Sequence, residues 1–354
     1  MKAAILFLVS LSIQAVTFSE TKERHFSSAW DFDPPSFMGD WSGSYVDPPE
    51  KTWPANNPSL VARIIGKGDN LFEVEFMNVF DRRADIEVSA TVKSDNGSLS
   101  FSGTNLEFTA DGKELVGRRK FTGRNNETIW ADFRLLKVER LSPTLGLPPP
   151  PGAISLITPD LDLWQHPNGN SATWKVLDGS VLECFPRKEG NEEGGDLQTK
   201  QTFKDLQLHL EFRLPYEPAR RGQGRANSGL FLQGAYEVQI LDSYGTSPGW
   251  SDCGALYKVS PPKVNKSLPP GLWQTYDIDF RAARFDEEGE LTSPPVITVK
   301  QNGTVIHQDQ PLFEVTQWLE KRRMNPHSQD AGPIRLQDHG HAVQFRNFWV
   351  LETD

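Results

Sequence analysis

Apolar and polar residues alternate along most of this chain, and turn residues interrupt the alternation at short intervals. Residues 60–66 (LVARIIG) and 71–77 (LFEVEFM) flank Lys67-Gly68-Asp69-Asn70. Residues 86–92 and 98–103 flank Asp95-Asn96-Gly97, and residues 106–110 and 114–121 flank Asp111-Gly112-Lys113. A period of two puts successive side chains on opposite faces, and Asn-Gly or Asp-Gly supplies the positive φ values of a tight hairpin. With residues 129–140 as a further strand, residues 20–141 read as an N-terminal antiparallel β domain, a small barrel or sandwich. The run SPTLGLPPPP ends it, because four consecutive prolines cannot pair in a sheet and favour an extended spacer. A Pro-rich linker is therefore placed at 142–152.

Residues 153–354 continue in the same style. In FKDLQLHLEFRL, Leu206, Leu208, Leu210 and Phe212 share one face, while Gln207, His209, Glu211 and Arg213 share the other. Residues 228–234, 236–243, 273–282, 296–308 and 334–352 follow as strand-like segments, with one helical pattern near 313–322. Many short strands with turns between them predict an all-β protein whose second half is a β-sandwich.

Composition narrows the class of function. A net charge of −10 disfavours nucleic acid, which needs a basic footprint, and disfavours anionic membranes. Lys2, the apolar stretch 3–16 and the small residues Thr17 and Ser19 form a secretory signal over 1–19, too short to span a bilayer well. That predicts a secreted or periplasmic protein with no membrane insertion after signal removal; an uncleaved anchor is the alternative. Only Cys184 and Cys253 are present, and export would permit a disulfide between them. Two buried thiols are the equal alternative.

Four strings carry a family resemblance. NSGLFLQGAYEVQILDS (227–243), GALYKVSPP (254–262), PPGLWQTYDIDFRAARFD (269–286) and GPIRLQDHGHAVQFRNFWV (332–350) are similar, in order and spacing, to the 3-keto-disaccharide hydrolases. The resemblance covers nearly all of 153–354. It implies a concanavalin A-like jelly roll with a carbohydrate substrate on one sheet face. It also implies cleavage of glycosides already oxidised to a ketone at C3. Such a ketone makes the C2 proton acidic. A base can remove it, the C1 leaving group departs, and water adds to the unsaturated product. This chemistry needs one base, a donor or cation at the ketone oxygen and a proton for the leaving oxygen, rather than two paired carboxylates.

Glu237 and Gln239 fall on one strand face, and Glu237 is the candidate general base. The motif run Gln337-Asp338-His339 makes His339 the candidate acid, with Gln337 on the same face if the strand continues. His341 lies outside that parity and is read as exposed. Asn227, Gln239, Gln337, Lys258 and Trp250 are candidate substrate contacts: amides for hydroxyls, Lys258 for the ketone oxygen, and Trp250, with Tyr244, for ring stacking. Gly229 reads as a turn or a point of close approach, and the charged, Gly-rich stretch 220–225 as a mobile lip or a solvated loop. Glu237, Asp242 and His339 are candidate ligands for a divalent metal ion, the one cofactor the residue types suggest. The competing reading is a non-catalytic carbohydrate-binding protein on the same fold, since a fold does not fix a function.

Overall fold

The computed structural model describes residues 30, 33–46, 48, 58–80, 86–123, 126–186, 194–316 and 327–353. The predicted signal segment at 1–19 and most of the helical pattern near 313–322 lie outside them. No helix among the described residues is long and apolar enough to cross a membrane.

The first sheet contains β1 (Gly39–Val46), β2 (Ser59–Gly68), β3 (Leu71–Met77), β4 (Val88–Lys93), β5 (Leu99–Ser102), β6 (Leu106–Ala110), β7 (Glu114–Thr122) and β8 (Thr128–Val138). Their order is β4-β3-β2-β1-β8-β7-β6-β5. The two end strands are sequence neighbours, joined by a tight turn with an Asp95–Ser98 bridge, so the sheet curls round as a barrel. Asn96 and Gly97 both take positive φ there, as a two-residue hairpin turn demands. Inside are Trp41, Leu60, Ile64, Phe76, Phe108, Phe133 and Leu135, on alternate positions of their strands.

The second half supplies β9 (Ile154–Ser155), β10 (Trp164–Gln165), β11 (Lys175–Leu177), β12 (Val181–Glu183), β13 (Leu197–Phe203), β14 (Leu206–Arg213), β15 (Ser228–Leu232) and β16 (Tyr236–Ile240). It continues with β17 (Trp273–Arg281), β18 (Arg284–Phe285), β19 (Leu291–Ser293), β20 (Val296–Gln301), β21 (Thr304–Pro311), β22 (Gly332–Leu336) and β23 (Gln344–Glu352). A five-stranded sheet, β10-β13-β22-β15-β16, packs on a larger one, β11-β12-β23-β14-β17-β20-β21, with β9 beside β23. This is the jelly-roll sandwich. Leu208, Leu210, Phe212, Leu230, Val238, Tyr276 and Phe345 fill the space between the sheets. The 334–352 segment is two strands in two sheets rather than one. Asp338 accepts the Gly340 amide, Gly340 takes a positive φ, and the chain turns across the sandwich. Cys184 and Cys253 are both buried free thiols, not a disulfide.

The polar face of β14 is only partly solvated: Gln207 is exposed. His209 and Glu211 are fully buried, because the 142–147 segment lies over them. Gly146 N donates to Glu211 Oε1 at 2.5 Å, Thr144 Oγ1 donates to Asp277 Oδ2 at 2.7 Å, and Leu147 O accepts from Asn347 Nδ2 at 3.0 Å. Burial alone would push Glu211 up, but the His209 ring 3.6 Å away and bonds from Asn347, Gly146 and Arg346 bring it down to about 2. The linker is thus a strap on the second sheet. A fragment starting at 142 keeps these bonds and one starting at 153 loses them. One charge-assisted bond is worth about 2 kcal/mol, or about 4–8 °C for a domain of this size. We expect both fragments to melt cooperatively, with 153–354 lower by at least that much in calorimetry. Equal melting would show that the strap contributes nothing.

Candidate functional site

Strand parity in the five-stranded sheet creates the site. Tyr236, Val238 and Ile240 point into the core, so Glu237 and Gln239 point to the outer face. On β15, Leu230 and Leu232 point inward, leaving Gly229 and Phe231 outside. On β22, Ile334 and Leu336 point inward and Arg335 outward. The register then sets Glu237 opposite Phe231, Phe231 opposite Arg335, and Gly229 opposite Gln239. Gln337 N donates to Gly229 O, which places Gln337 beside the same glycine.

Glu237 lies across β15 over Gly229. A Cβ at residue 229 would collide with Glu237 Oε1, so the absence of a side chain is what admits the carboxylate. The outer edge of β16 is closed: Tyr257 N donates to Glu237 O, Gly254 N to Gln239 O, and Glu237 N to Thr316 Oγ1. Glu237 is only 4% exposed, and its carboxylate makes no hydrogen bond among the described residues. Desolvation therefore raises it to about 8, opposed by the Arg335 charge and reinforced by Asp196. Arg335 spreads over the Phe231 ring, 4.1 Å from its centroid, and its Nε is buried without a hydrogen bond among the described residues, 3.7 Å from Asp196 Oδ2.

Beside this centre lies an amide network. Gln239 Nε2 donates to Gln223 Oε1 at 3.1 Å, and Asn227 Nδ2 donates to Gln223 O at 2.8 Å. Asn227 is 1% exposed, yet its Oδ1 has no partner among the described residues. An orphaned buried acceptor of this kind suits a ligand hydroxyl or a bound water. Trp250 is 56% exposed at the rim and is followed by Ser251, whose carbonyl accepts from Gln223 and Gln239.

Other candidates sit elsewhere. The strand does not persist to His339. It lies beyond the end of β22, exposed and stacked on His341. His341 is buried rather than exposed, with Nδ1 2.8 Å from Glu217 Oε2. Lys258 is exposed, its ammonium over the Tyr257 ring. Tyr244 is not a stacking platform: it is fully buried and donates to Asp40. Asp242 is committed to Arg225 Nε at 2.7 Å and to Tyr244 N. Glu237, Asp242 and His339 thus form no cluster, and no group of three or more His, Cys, Asp or Glu side chains able to hold a metal occurs among the described residues. The donor set does not fit the divalent ion that the residue types suggested.

Arg335, Phe231 and Asp196 were missed by sequence reasoning. The signal was available: the parity that marks Gln337 as outward marks Arg335 as well.

Comparison with known proteins adds the family. Residues 152–351 match the model of the 3-keto-alpha-glucoside-1,2-lyase-like domain. A crystal structure of a "putative glycosyl hydrolase" from Parabacteroides distasonis is 39% identical, with a TM-score of 0.52, covering 58% of this chain and 85% of its own. A second protein of that description and organism is 18% identical with a TM-score of 0.40, over 57% and 95% of the two chains. No curated protein matches the chain.

Burying Glu237 has a measurable consequence for stability. Between pH 4.5 and about 8 the folded protein keeps a proton on Glu237 that the unfolded chain has lost. The folded state binds more protons there, so this group lowers stability as pH rises across that window. Glu237→Gln removes the effect. The melting temperature of Glu237→Gln relative to the parent should climb from pH 4.5 to about 8 and then level off. A difference that is flat with pH would show that Glu237 is not desolvated.

Proposed function

The chain belongs to the 3-keto-alpha-glucoside-1,2-lyase-like family, and we propose that it cleaves the glycosidic bond of a 3-keto-glycoside by removing the proton at C2. The observation that carries this reading is a buried carboxylate with no hydrogen bond from the described residues and a guanidinium on the same sheet face. A pair of carboxylates flanking a glycosidic oxygen is the arrangement of ordinary glycosidases. Here the carboxylate has a cation as its counterpart, which suits an enolate.

In this reading the sugar lies on the outer face of the five-stranded sheet, with C2 toward Glu237 and the C3 ketone toward Arg335, which Phe231 supports from beneath. Glu237 takes the C2 proton, and the electron pair moves onto the ketone oxygen, where the Arg335 guanidinium stabilises the negative charge. The enolate then re-forms the ketone as the C1–O bond breaks, and Glu237 returns its proton to the departing oxygen. Water adds at C1 and a proton returns to C2. A base for so weak an acid is most effective with a pKa near the working pH, and about 8 meets that need. Arg335 takes the role first considered for Lys258, and Glu237 serves as both base and acid, leaving His339 at the rim. Asn227, Gln239, Gln337 and Trp250 remain as contacts for hydroxyls and for a ring face.

Glu237→Gln should lower turnover of a 3-keto-glycoside by about a hundredfold to ten-thousandfold, the usual contribution of general-base catalysis, while sugar binding persists. For the parent, kcat/KM should rise with pH and level off above about 8, because the base works only when ionised. An activity that falls through that pH would make Glu237 an acid in its free form. Substrate deuterated at C2 should lose its label to solvent during turnover; full retention of the label would exclude elimination. A protein that binds the sugar but never turns it over would be a lectin.

Gly229→Ala gives an independent check on the geometry. The new methyl displaces only the tip of a side chain, so the fold should hold. The carboxylate should move and activity should fall at least about a hundredfold, as a misplaced catalytic group implies. Near-parental activity would mean that the Glu237 position does not matter.

A further inference from the structure

We propose that the N-terminal barrel is a working part of the substrate site, holding the 215–227 lip and the 242–246 loop in the shape the site requires. This rests on the placement of the site around Glu237, Gln239 and Asn227 given above.

The contact between the two halves is built around one buried carboxylate. Asp40, on β1, accepts from Tyr244 Oη at 2.8 Å and from Arg140 Nε at 2.7 Å, with Arg63 Nε at 3.6 Å. Arg63 also lies over the Tyr244 ring, 5.3 Å from its centroid. Tyr244 comes from the sandwich and the other three residues from the barrel or its end. Met38 and Ile65 complete a small apolar cluster with Tyr244, and Tyr216 packs against it.

The lip is seated on the same barrel face. A side chain at Gly66 would collide with the Tyr216 hydroxyl, and one at Gly68 with Ala219, so the β2–β3 hairpin approaches the lip as closely as backbone allows. Arg221 donates to the Lys67 carbonyl. Gly245, in the second loop, lies against Ile65 in the same way. Trp30 Nε1, from the chain before β1, donates to Ala342 O at 2.9 Å. The 220–225 stretch is therefore an anchored lip rather than a free loop.

From these contacts a short series of bonds leads to the site. Tyr244 N donates to Asp242 Oδ1 at 3.2 Å, and Asp242 Oδ2 accepts from Arg225 at 2.7 Å. Tyr216 lies near both charges, and its burial raises it to about 12. Ala226 N donates to Glu217 Oε2 at 2.9 Å, which helps hold Ala226 at φ +45°, a conformation that a residue with a side chain rarely adopts. Gln223 and Asn227 lie on either side of that turn: Asn227 Nδ2 donates to Gln223 O, and Gln239 Nε2 donates to Gln223 Oε1. Asp40, Tyr244, Gly66 and Tyr216 are positioning residues: none belongs to the Glu237 centre, and each constrains a segment that does.

The test uses the full-length protein with Tyr244→Phe, Gly66→Ala, Tyr216→Phe and the double variant Gly66→Ala/Tyr216→Phe. Amide hydrogen exchange is read at 216–227 and 239–246, with β14 and β17 as internal controls. KM and kcat are measured on a 3-keto-glycoside. Tyr244→Phe and Gly66→Ala should each speed exchange in the lip but not in the controls. Each should raise KM about tenfold, the scale of one lost hydrogen bond to a charged group, with kcat kept. Removing the Tyr216 hydroxyl relieves the collision, so the double variant should return to the Tyr216→Phe values. Simple destabilisation of the barrel would not produce that rescue. Unchanged lip exchange in the folded variants overturns the proposal, as does faster exchange with unchanged KM. If Gly66→Ala does not fold, Tyr244→Phe, which loses only a hydroxyl, decides. If the parent turns over no 3-keto-glycoside, the reaction assignment has failed; exchange, with sugar affinity in place of KM, still decides the role of the barrel.

Discussion

Burial of Tyr236, Val238 and Ile240 between the two sheets dictates where Glu237 and Gln239 can go. A strand alternates strictly, so an inward apolar set forces an outward polar set. The neighbouring strands obey the same constraint, and hydrogen-bond register lines their outward residues up across the sheet as Glu237, Phe231 and Arg335. The site is thus a by-product of core packing plus register. Sliding β15 by one residue would put Leu230 and Leu232 outside, and the core would lose them. That coupling ties the geometry of the carboxylate to the stability of the whole sandwich.

Within that frame, Glu237 is held at a cost. The carboxylate is desolvated with no hydrogen bond from the described residues, and its proton is retained to a pH where an ordinary carboxylate is fully ionised. Elsewhere the protein treats buried charge differently. Glu211 is supplied with bonds from Asn347, Gly146 and Arg346, and Asp40 with two guanidinium groups and a phenol. The contrast sets these paired charges apart from Glu237, whose carboxylate the described residues leave without a hydrogen bond.

The two satisfied networks also join parts of the chain that are distant in sequence. One binds the 142–147 strap to the larger sheet, and the other binds the barrel to the loop that carries Asp242 and Tyr244. Charged side chains with fixed partners define a single docking geometry more sharply than apolar contact does, because a small shift strands a buried charge. Close glycine contacts at Gly66, Gly68 and Gly245 serve the same end by removing side chains from the seam.

Much was legible before any tertiary structure. Alternation and turn chemistry are local, so the hairpins of the barrel, the inward face of β14 and the outward pairing of Glu237 with Gln239 follow from the order of residues alone. The strings around 227–243 and 332–350 also carry the family. What the order of residues could not decide was which outward residues meet. Arg335 and Phe231 come to Glu237 through register between strands far apart in sequence, while His339 leaves because a side-chain bond from Asp338 ends its strand. Whether a polar face meets water is equally non-local: His209 and Glu211 look solvated by their pattern and are buried by a strap. Periodicity assigns a side chain to a face; only the packing of distant segments decides what covers that face and which charges it brings together.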